Sequence, residues 1–308
     1  MYESLKTWTS DFQLFIFAFD DLSFNILNKL GLKNVTTISL QEFETAELLE
    51  AKKTRSKGEY CWTCTPSVLS YVLDKYKVAS CTYLDADLLF YSDPSMLIEE
   101  MINNQKNVLI TEHRFSVLPK LYEQNRAGRF CVQFVTFSNE SDSLKVLDKW
   151  RNQCIEWCYS RYEDGKFGDQ KYLDEWPKVY TNVHILQNPG GGVAPWNIQQ
   201  YNFNTNGRSI TGNIKKTGFT FNVVFYHYQY VKFLNNNYYD IGWYSITSAI
   251  KNLFYQPYIK KLEEIEERIK TINVSYKKGS SEFKTDNVKS VIKTVIKKVF
   301  RYNIIKTR

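Results

Sequence analysis

The chain has 308 residues, of which 43% are hydrophobic and 24% are charged, as is usual for a globular protein with a substantial core. Its net charge is +7, and residues 276–308 alone carry +8, because they contain ten Lys and Arg residues but only two acidic residues, Glu282 and Asp286; residues 1–275 therefore carry about −1. This balance excludes a nucleic-acid groove across the main body and leaves attraction of the C-terminal end to an anionic surface open.

The N-terminal part predicts alternating helices and strands. Helical patterns cover residues 1–7, 23–31 and 41–53, and apolar strand patterns cover residues 12–19 and 34–40. This alternation predicts an α/β domain with a mostly parallel sheet flanked by helices. Because such a domain normally begins with a strand, we expect its first strand to be absent from this chain.

Two carboxylates follow a predicted buried strand at residues 80–84. A helix at 66–77, with Thr65 as its capping residue, precedes that strand, and Asp85 and Asp87 come at its carboxyl end. Ligands bind at this edge of open α/β sheets. Mg²⁺ and Mn²⁺ favour carboxylate oxygens and share their other positions with water and phosphates, so the pair predicts a site for a metal–diphosphate complex. The alternative is a solvated turn.

The middle of the chain continues the α/β pattern. Strands are predicted at residues 107–111, 129–137 and 179–186, and a long helix at 141–162. A loop at 188–197 contains three consecutive glycines, which predict either a close approach of the backbone to a ligand or a flexible bend.

The C-terminal part predicts a late strand at 218–228, a charged helix at 260–272, a polar linker at 276–287 and a basic amphipathic helix at 288–301. Such a helix suits an anionic membrane surface, but docking on the protein itself or on a second subunit fits the pattern equally. The predicted domain boundaries are 1–258 for the main domain, 259–275 for the charged helix and 276–308 for the linker and basic helix.

The six cysteines are not preceded by a leader sequence, in which charged residues would be followed by an apolar run and small residues. We interpret them as reduced cytosolic thiols. Cys61 and Cys64 have the spacing of a redox dithiol, but their surroundings disfavour that function. A zinc site that joins them to Cys154 and Cys158 is disfavoured too, because the two pairs are about 90 residues apart.

Several motifs occur in a characteristic order. They are Tyr-Leu-Asp-Ala-Asp at 83–87, Ser-Asp-Pro at 92–94, Phe-Gly-Asp-Gln-Lys-Tyr-Leu at 167–173 and Phe-Tyr-His at 225–227, with Lys232 after them. In this order they resemble the motifs of GT-A-fold glycosyltransferases. The resemblance covers about the first 260 residues and is strongest to bacterial nucleotide-diphospho-sugar transferases of the family-8-like type, often associated with capsule or lipopolysaccharide assembly.

The resemblance implies a metal and donor site. Asp85, Asp87 and His227 would bind Mn²⁺ or Mg²⁺ at the two phosphates of the donor, and Lys232 would contact the same phosphates. Arg55 is a further candidate for donor binding. A structural role for the histidine and a solvated surface position for the lysine are the alternatives.

The resemblance also implies catalytic and acceptor-side residues. Asp169 and Gln170 match the Asp-Gln step that faces the sugar near the reacting carbon, although an N-cap role for Asp169 is the alternative. The candidates for the acceptor or sugar pocket are His113, Arg114, Gly191, Gly192 and Trp196. Trp196 is either a stacking platform or a buried aromatic residue.

One residue departs from the related motifs, which usually carry glycine where this chain has Tyr230. The expected function is that of a cytoplasmic hexosyltransferase, peripheral on the inner face of the plasma membrane, which uses a nucleotide sugar, of UDP type, and a glycan or lipid-linked acceptor with retention of configuration. The alternative is a non-catalytic binding or scaffold protein with the same fold. The oligomeric state is not predicted.

Overall fold

The protein is described by a computed structural model covering residues 1–235, 237–282 and 287–307, of which 288–290 are described by their backbone alone. Its helices and strands alternate, which confirms the α/β class. The chain divides into two compact units, Met1–Tyr226 and His227–Arg308. None of the helices within the described ranges combines the length and the apolar character needed to cross a bilayer.

Among the described residues, nine α-helices and eleven strands lie wholly within the first unit, and a twelfth strand begins in it. The helices are α1 (Tyr2–Trp8), α2 (Asp21–Leu30), α3 (Leu40–Phe43), α4 (Ala46–Lys52), α5 (Lys57–Tyr76), α6 (Ser95–Asn103), α7 (Val117–Ala127), α8 (Ser141–Glu156) and α9 (Trp176–Val179). The strands are β1 (Leu14–Ala18), β2 (Val35–Ser39), β3 (Ser80–Leu84), β4 (Leu88–Phe90), β5 (Val108–Glu112), β6 (Phe130–Ser138), β7 (Val183–Ile185), β8 (Gly191–Val193), β9 (Tyr201–Thr205), β10 (Ile210–Ile214), β11 (Thr220–Asn222) and β12 (Phe225–His227). Strand β12 ends with the first residue of the second unit.

The second unit is built on a small antiparallel sheet with the order β13-β14-β15. Its elements are β13 (Lys232–Leu234), β14 (Tyr238–Asp240), α10 (Ser248–Ile250), a π-helical turn (Lys251–Tyr255), α11 (Gln256–Ile272), α12 (Val288–Val299) and β15 (Ile304–Lys306). The domain boundary predicted at residue 258 therefore lies inside α11. Part of the predicted linker, residues 283–286, lies outside the described residues.

The strand pairing is mixed. A four-stranded sheet has the order β3-β6-β5-β7, in which β3 and β5 run antiparallel to β6 and β7 runs parallel to β5. The pairs β1-β2 and β8-β12 are parallel, whereas β9, β10 and β11 are antiparallel neighbours. The prediction of a mostly parallel sheet is therefore wrong, because hydrophobic periodicity indicates which face a strand buries and not the direction of its neighbour.

Helix α5 begins well before its predicted start at Pro66. Ser56 and Glu59 form a capping box at its N-terminus, in which the Glu59 carboxylate accepts a 2.8 Å hydrogen bond from the Ser56 N–H. Pro66 consequently lies inside the helix, and the prediction that Thr65 caps it is wrong. The reciprocal cap upstream sets the start of the helix, since it satisfies orphan N–H groups at both positions.

Two other helices also differ from their predicted bounds. The helix predicted at 41–53 is divided into α3 and α4, because the Thr45 side chain accepts a hydrogen bond from the Leu48 N–H and so starts a second helix. The helix predicted at 141–162 ends at Glu156, where the next residue takes an extended conformation.

The glycine-rich segment forms strand β8 and the residues that lead into it. Strand β8 pairs with β12, and a Cβ atom on Gly190 would lie 1.9 Å from the Asn222 carbonyl oxygen. A Cβ on Gly191 would lie 2.6 Å from Leu186 Cδ2. These glycines allow the backbone to pack closely inside the protein, and the alternative of a flexible bend is wrong.

Aromatic side chains fill the core between α8 and the four-stranded sheet. Trp150 is fully buried, and its ring lies 5.3 Å from the ring of Trp176 and 6.2 Å from that of Phe137. Each buried aromatic side chain of this size contributes roughly 2–3 kcal/mol by burial. This packing supports the strands that carry the site described next.

Candidate metal centre and its neighbouring carboxylic acid

Strand β3 has its predicted bounds, but it is not buried: Ser80 is exposed and the other four residues are half-buried. The chain leaves it at Asp85, whose N–H donates a 3.1 Å hydrogen bond to the Gln133 carbonyl of β6. A short turn through Asp87 then leads into β4. Strand β4 is hydrogen-bonded to β12, the strand that ends at His227.

Asp85, Asp87 and His227 come together as the sequence predicts. One potential ligand atom from each residue lies within 4.8 Å of the other two. His227 is buried, and the two carboxylates are half-buried. Two carboxylates and an imidazole fit a divalent cation such as Mn²⁺ or Mg²⁺ that keeps further positions for water or phosphate.

Tyr83 and Thr65 connect this cluster to the surroundings of Asp169. The Tyr83 hydroxyl donates a 3.0 Å hydrogen bond to Asp85 Oδ1. The Thr65 hydroxyl, on α5, donates a 3.4 Å hydrogen bond to the Cys61 carbonyl. It lies near both the Tyr83 hydroxyl and the Asp169 carboxylate and lowers the pKa of each. The predicted catalytic carboxylate and the predicted metal ligands therefore belong to one connected group.

Asp169 is a buried acid with a strongly perturbed affinity for its proton. Its pKa is raised to about 7, mainly by burial and also by the negative charge of Asp85, against hydrogen bonds from Thr65 and from the N–H groups of Asp169 and Gln170 that lower it. The Asp169 carbonyl accepts a 2.8 Å hydrogen bond from the Trp150 indole, which fixes the backbone at this point. A buried carboxylic acid with a pKa near neutrality is typical of functional sites.

Gln170 follows Asp169, and its amide donates a 2.7 Å hydrogen bond to the Ala127 carbonyl at the end of α7. The preceding residue, Gly168, takes a φ of 54°, in the left-handed region, where a Cβ atom would lie 3.5 Å from the Trp62 ring. The turn thus presents Asp169 to the network, while Gln170 holds α7.

Lys232 is the first residue of β13 and is exposed, with its ammonium 4.4 Å from the centre of the Tyr230 ring. Tyr230 has a φ of 75° and so occupies the left-handed region that favours glycine. Tyr230 therefore keeps the backbone conformation that favours glycine, and the chain departs from the related motifs by carrying a side chain at this position.

Arg55 has structural partners. Its guanidinium donates hydrogen bonds of 3.3 Å and 3.2 Å to the carbonyls of Ile155 and Glu156, the last residues of α8. It also lies 3.8 Å from the centre of the Tyr159 ring. These contacts cap the C-terminus of α8, and no described contact brings Arg55 to Asp85 or Asp87.

His113 and Trp196 pack together in the interior. Both are buried, and the Trp196 indole donates a 2.8 Å hydrogen bond to the His113 carbonyl. The His113 ring stacks on Phe115 at 4.5 Å, with its Nδ1 3.3 Å from the Arg129 carbonyl. The alternative of a buried aromatic residue is therefore the one that the structure favours for Trp196.

Arg114 and the glycines of β8 form a third group. The Arg114 guanidinium donates to the Leu186 carbonyl at 2.5 Å and to the Asn188 carbonyl at 3.1 Å, and burial lowers its pKa from the ordinary value. Gly192 has a φ of 152°, and a Cβ there would lie 3.2 Å from Gln133 Nε2. These residues hold the 186–192 backbone against β5 and β6.

All six cysteines lie in the described part of the chain, and none of them forms a disulfide. Cys61 and Cys64 lie within α5 and not at its start, and burial raises the pKa of both, that of Cys64 to about 12. A redox dithiol needs a lowered thiol pKa, and the structure therefore contradicts that alternative.

Comparison with known proteins gives two relatives from Bacillus subtilis strain 168, both described as uncharacterized proteins. YfnD is 31% identical over 268 residues, which span 85% of this chain and 83% of YfnD. YfnF is 30% identical over 246 residues, which span 77% of this chain and 78% of YfnF. The chain belongs to the family of YfnD and YfnF. No protein-family model matches it.

Among solved structures, this YfnD-type chain is similar to the apo form of mouse xyloside xylosyltransferase 1. The TM-score is 0.42 at 14% sequence identity, over 63% of this chain and 79% of the mouse chain. A similarity of this extent transfers no residue role to the YfnD family.

Two residues of the network in this YfnD-type chain were not predicted, namely Tyr83 and Thr65. Tyr83 alternates with Asp85 along the strand, so its side chain lies on the same face, and this spacing could have identified it. Thr65 reaches Asp169 only because α5 packs beside β3, and no local pattern indicates that contact.

Proposed function

We propose that this chain is a metal-dependent glycosyltransferase with a GT-A-like fold, which transfers a sugar from a nucleotide diphosphate sugar to a hydroxyl acceptor. The observation that carries the proposal is the convergence of Asp85, Asp87 and His227 beside the buried acid Asp169. The order of the motifs along the chain, which resembles that of GT-A glycosyltransferases, supports it. Within this proposal the donor is a UDP-hexose and the acceptor is a surface glycan or its lipid-linked precursor.

The three cluster residues would hold Mn²⁺ or Mg²⁺ together with the donor diphosphate. A bound dication acts as a Lewis acid on phosphoryl oxygens and so favours departure of the nucleoside diphosphate. Tyr83 orients the Asp85 carboxylate through its hydroxyl, and the burial of His227 fixes the imidazole. Lys232 is the proposed additional cation for the phosphates, as its exposed ammonium is available to an anion.

Asp169 is the proposed catalytic residue of the sugar side, with Gln170 as its neighbour. In its ionised form its carboxylate would stabilise positive charge that develops at the reacting carbon, and the nearby Thr65 hydroxyl favours that form by lowering the pKa. No second carboxylate is assigned as a nucleophile, so we propose attack of the acceptor hydroxyl on the face that the leaving group occupies, with retention. His113, Arg114, Gly191, Gly192 and Trp196 would shape the acceptor side through the backbone they hold, and Arg55 would act on the donor side only through its support of α8.

We place this activity in the cytoplasm, where nucleotide sugars and reduced thiols occur together. The six free thiols support this location. The proposed catalytic domain comprises residues 1–258, followed by the charged helix at 259–275 and the basic segment at 276–308.

Thermal unfolding with nucleotides tests the donor and metal assignments together. UDP, GDP and CMP are each added with and without Mn²⁺ to the parent chain, to Asp87→Ala and to the control Asp74→Ala, which removes an exposed surface carboxylate. We expect UDP to raise the Tm only with Mn²⁺, in the parent and the control but not in Asp87→Ala.

Stabilisation by every nucleotide in the absence of metal would overturn the metal-dependent mechanism. Metal-dependent stabilisation by UDP without turnover of UDP-glucose, UDP-galactose or UDP-xylose, even to water, would favour the non-catalytic binding protein over the transferase. Hydrolysis of the donor that requires Mn²⁺ and Asp87 would support the enzyme before its acceptor is known.

A further inference from the structure

Helix α12 exposes its apolar side chains. Val291, Ile292, Val295 and Val299 are 43%, 55%, 46% and 68% exposed. At about 100° per residue they fall within an arc of about 100° and form one continuous apolar stripe. Phe300, directly after the helix, is 73% exposed and extends the exposed apolar surface.

The opposite face of α12 is buried and polar. Lys297 is 1% exposed, and its ammonium lies 2.5 Å from Asp240 Oδ1 and 2.5 Å from the Gly242 carbonyl oxygen. The same ammonium is 4.4 Å from the centre of the Trp243 ring, and Thr294, one turn earlier, is also buried. If Lys297 turned outward, the carboxylate of Asp240 would remain buried without its partner. This contact therefore fixes the helix with its apolar stripe toward solvent.

The surroundings of the stripe are basic. Helix α12 contains four lysines and no acidic residue, and Lys293, Lys298 and Arg301 are exposed. A cavity of about 420 Å³ lies at the C-terminal end of the helix, lined by Lys298 and Arg301 and by one carboxylate, that of Glu282. Apolar side chains flanked by lysines match the layered chemistry of a membrane surface, with acyl chains below anionic headgroups.

We propose that the apolar stripe of α12 inserts into the headgroup region of a membrane that contains anionic lipids. Docking of the stripe on the second unit itself is excluded by the exposure of these side chains. A second copy of the chain is a poorer occupant, because a symmetric contact along α12 would place lysine-rich helices against each other. An anionic bilayer offers this face both apolar acyl chains and negatively charged headgroups.

Co-sedimentation of the full chain with vesicles tests the proposal independently of any transferase activity. The vesicles contain phosphatidylcholine alone or phosphatidylcholine with 30% phosphatidylglycerol, at about 50 mM and 500 mM NaCl. We expect binding to the anionic vesicles only, with weaker binding at the higher salt concentration. The double variant Lys293→Gln/Lys298→Gln should weaken binding roughly 30-fold, and Ile292→Gln/Val299→Gln by at least as much.

The control variant is Leu118→Gln/Leu121→Gln on α7, because these two leucines are 71% and 72% exposed but lie on a helix of mixed charge. We expect this variant to bind anionic vesicles as the parent does. Equal loss of binding in the α7 and α12 variants would overturn the proposal, as would equal binding to neutral vesicles. A dimer in sedimentation velocity that Ile292→Gln/Val299→Gln dissociates, without vesicle binding by the parent, would assign the stripe to a second copy instead.

Discussion

Tyr83 holds Asp85 by a hydrogen bond of 3.0 Å from its hydroxyl to Oδ1. Partners of this kind orient metal ligands and commonly change metal affinity by 10-fold to 100-fold when removed. We expect Tyr83→Phe to raise the Kd for Mn²⁺ about 10-fold, as measured by isothermal titration calorimetry. Tyr71→Phe removes a hydroxyl bound to a surface carboxylate, that of Glu42, and should leave the Kd unchanged. Equal affinities in all three proteins would exclude this role for Tyr83.

His227 should matter more to the metal than either other histidine. Removal of one of the three proposed protein ligands by His227→Ala should weaken Mn²⁺ binding roughly 100-fold. The control is His184→Gln, because His184 is paired with Glu100 at 2.7 Å and lies in β7, outside the cluster. A Kd for His227→Ala within a factor of three of the parent would remove His227 from the ligand set.

The buried carboxyl of Asp169 should make stability depend on pH in a particular direction. Its folded-state pKa of about 7 lies above the ordinary value, so the folded chain binds this proton more tightly than the unfolded chain does. Protonation of Asp169 stabilises the folded chain by roughly 4 kcal/mol below about pH 4, and this stabilisation is lost as the pH rises to about 7. Asp169→Asn should remove this decline when unfolding is followed by urea titration in EDTA between pH 4.5 and 8.

Asp74→Asn, an exposed surface change, provides the control for that experiment and should keep the parent's pH dependence. If Asp169→Asn and Asp74→Asn follow the parent's curve equally, the Asp169 carboxyl does not titrate near neutrality. The same variant tests catalysis, since loss of transfer with retained nucleotide binding would support a role in the chemical step.

The stabilisation that Glu59 gives to the start of α5 should decrease at acidic pH. Burial raises the pKa of Glu59, but hydrogen bonds from Ser160 and Ser56 outweigh it and lower the pKa to about 2. Its contribution is present above the ordinary pKa and is lost as the pH falls toward 2. Glu59→Gln should therefore reduce the free energy of unfolding by about 1–2 kcal/mol at pH 7 and by less at pH 3. An equal loss at both pH values would assign the effect to packing.

Gly190 should tolerate no side chain. Gly190→Ala places a Cβ 1.9 Å from the Asn222 carbonyl and disturbs the Gly190 carbonyl, which accepts hydrogen bonds from Val224 and Phe225. We expect a loss of about 3 kcal/mol or more in the free energy of unfolding. Gly58→Ala, in open space in the first turn of α5, should be neutral or stabilising. Similar urea midpoints for the two variants would contradict the close approach.

The parts of this protein that sequence patterns predict are local. The bounds of β3 follow from its apolar residues, and the pairing of Asp85 with Asp87 follows from their spacing. The Ser56–Glu59 capping box is also a local pattern, and it marks the start of α5 nine residues before Thr65. The antiparallel direction of β3 and the contact between Thr65 and Asp169 could not be predicted, because both depend on how distant segments pack.

The C-terminal helix illustrates the same limit. The periodicity of its valines and isoleucines predicts the apolar stripe, but the buried side of the helix is fixed by Lys297. The partner of Lys297, Asp240, lies in another element, and a lysine within a basic run gives no local sign of burial.

Pro66 interrupts α5 in the middle of its length, since proline has no N–H to donate to the Trp62 carbonyl one turn earlier. The helix therefore has a built-in weak point, at which its two halves can open separately and exchange their amide hydrogens at different rates. Thr65 stands directly before this point and lies near Asp169, whose pKa its hydroxyl lowers. Local opening of α5 at Pro66 would therefore change the surroundings of the buried acid.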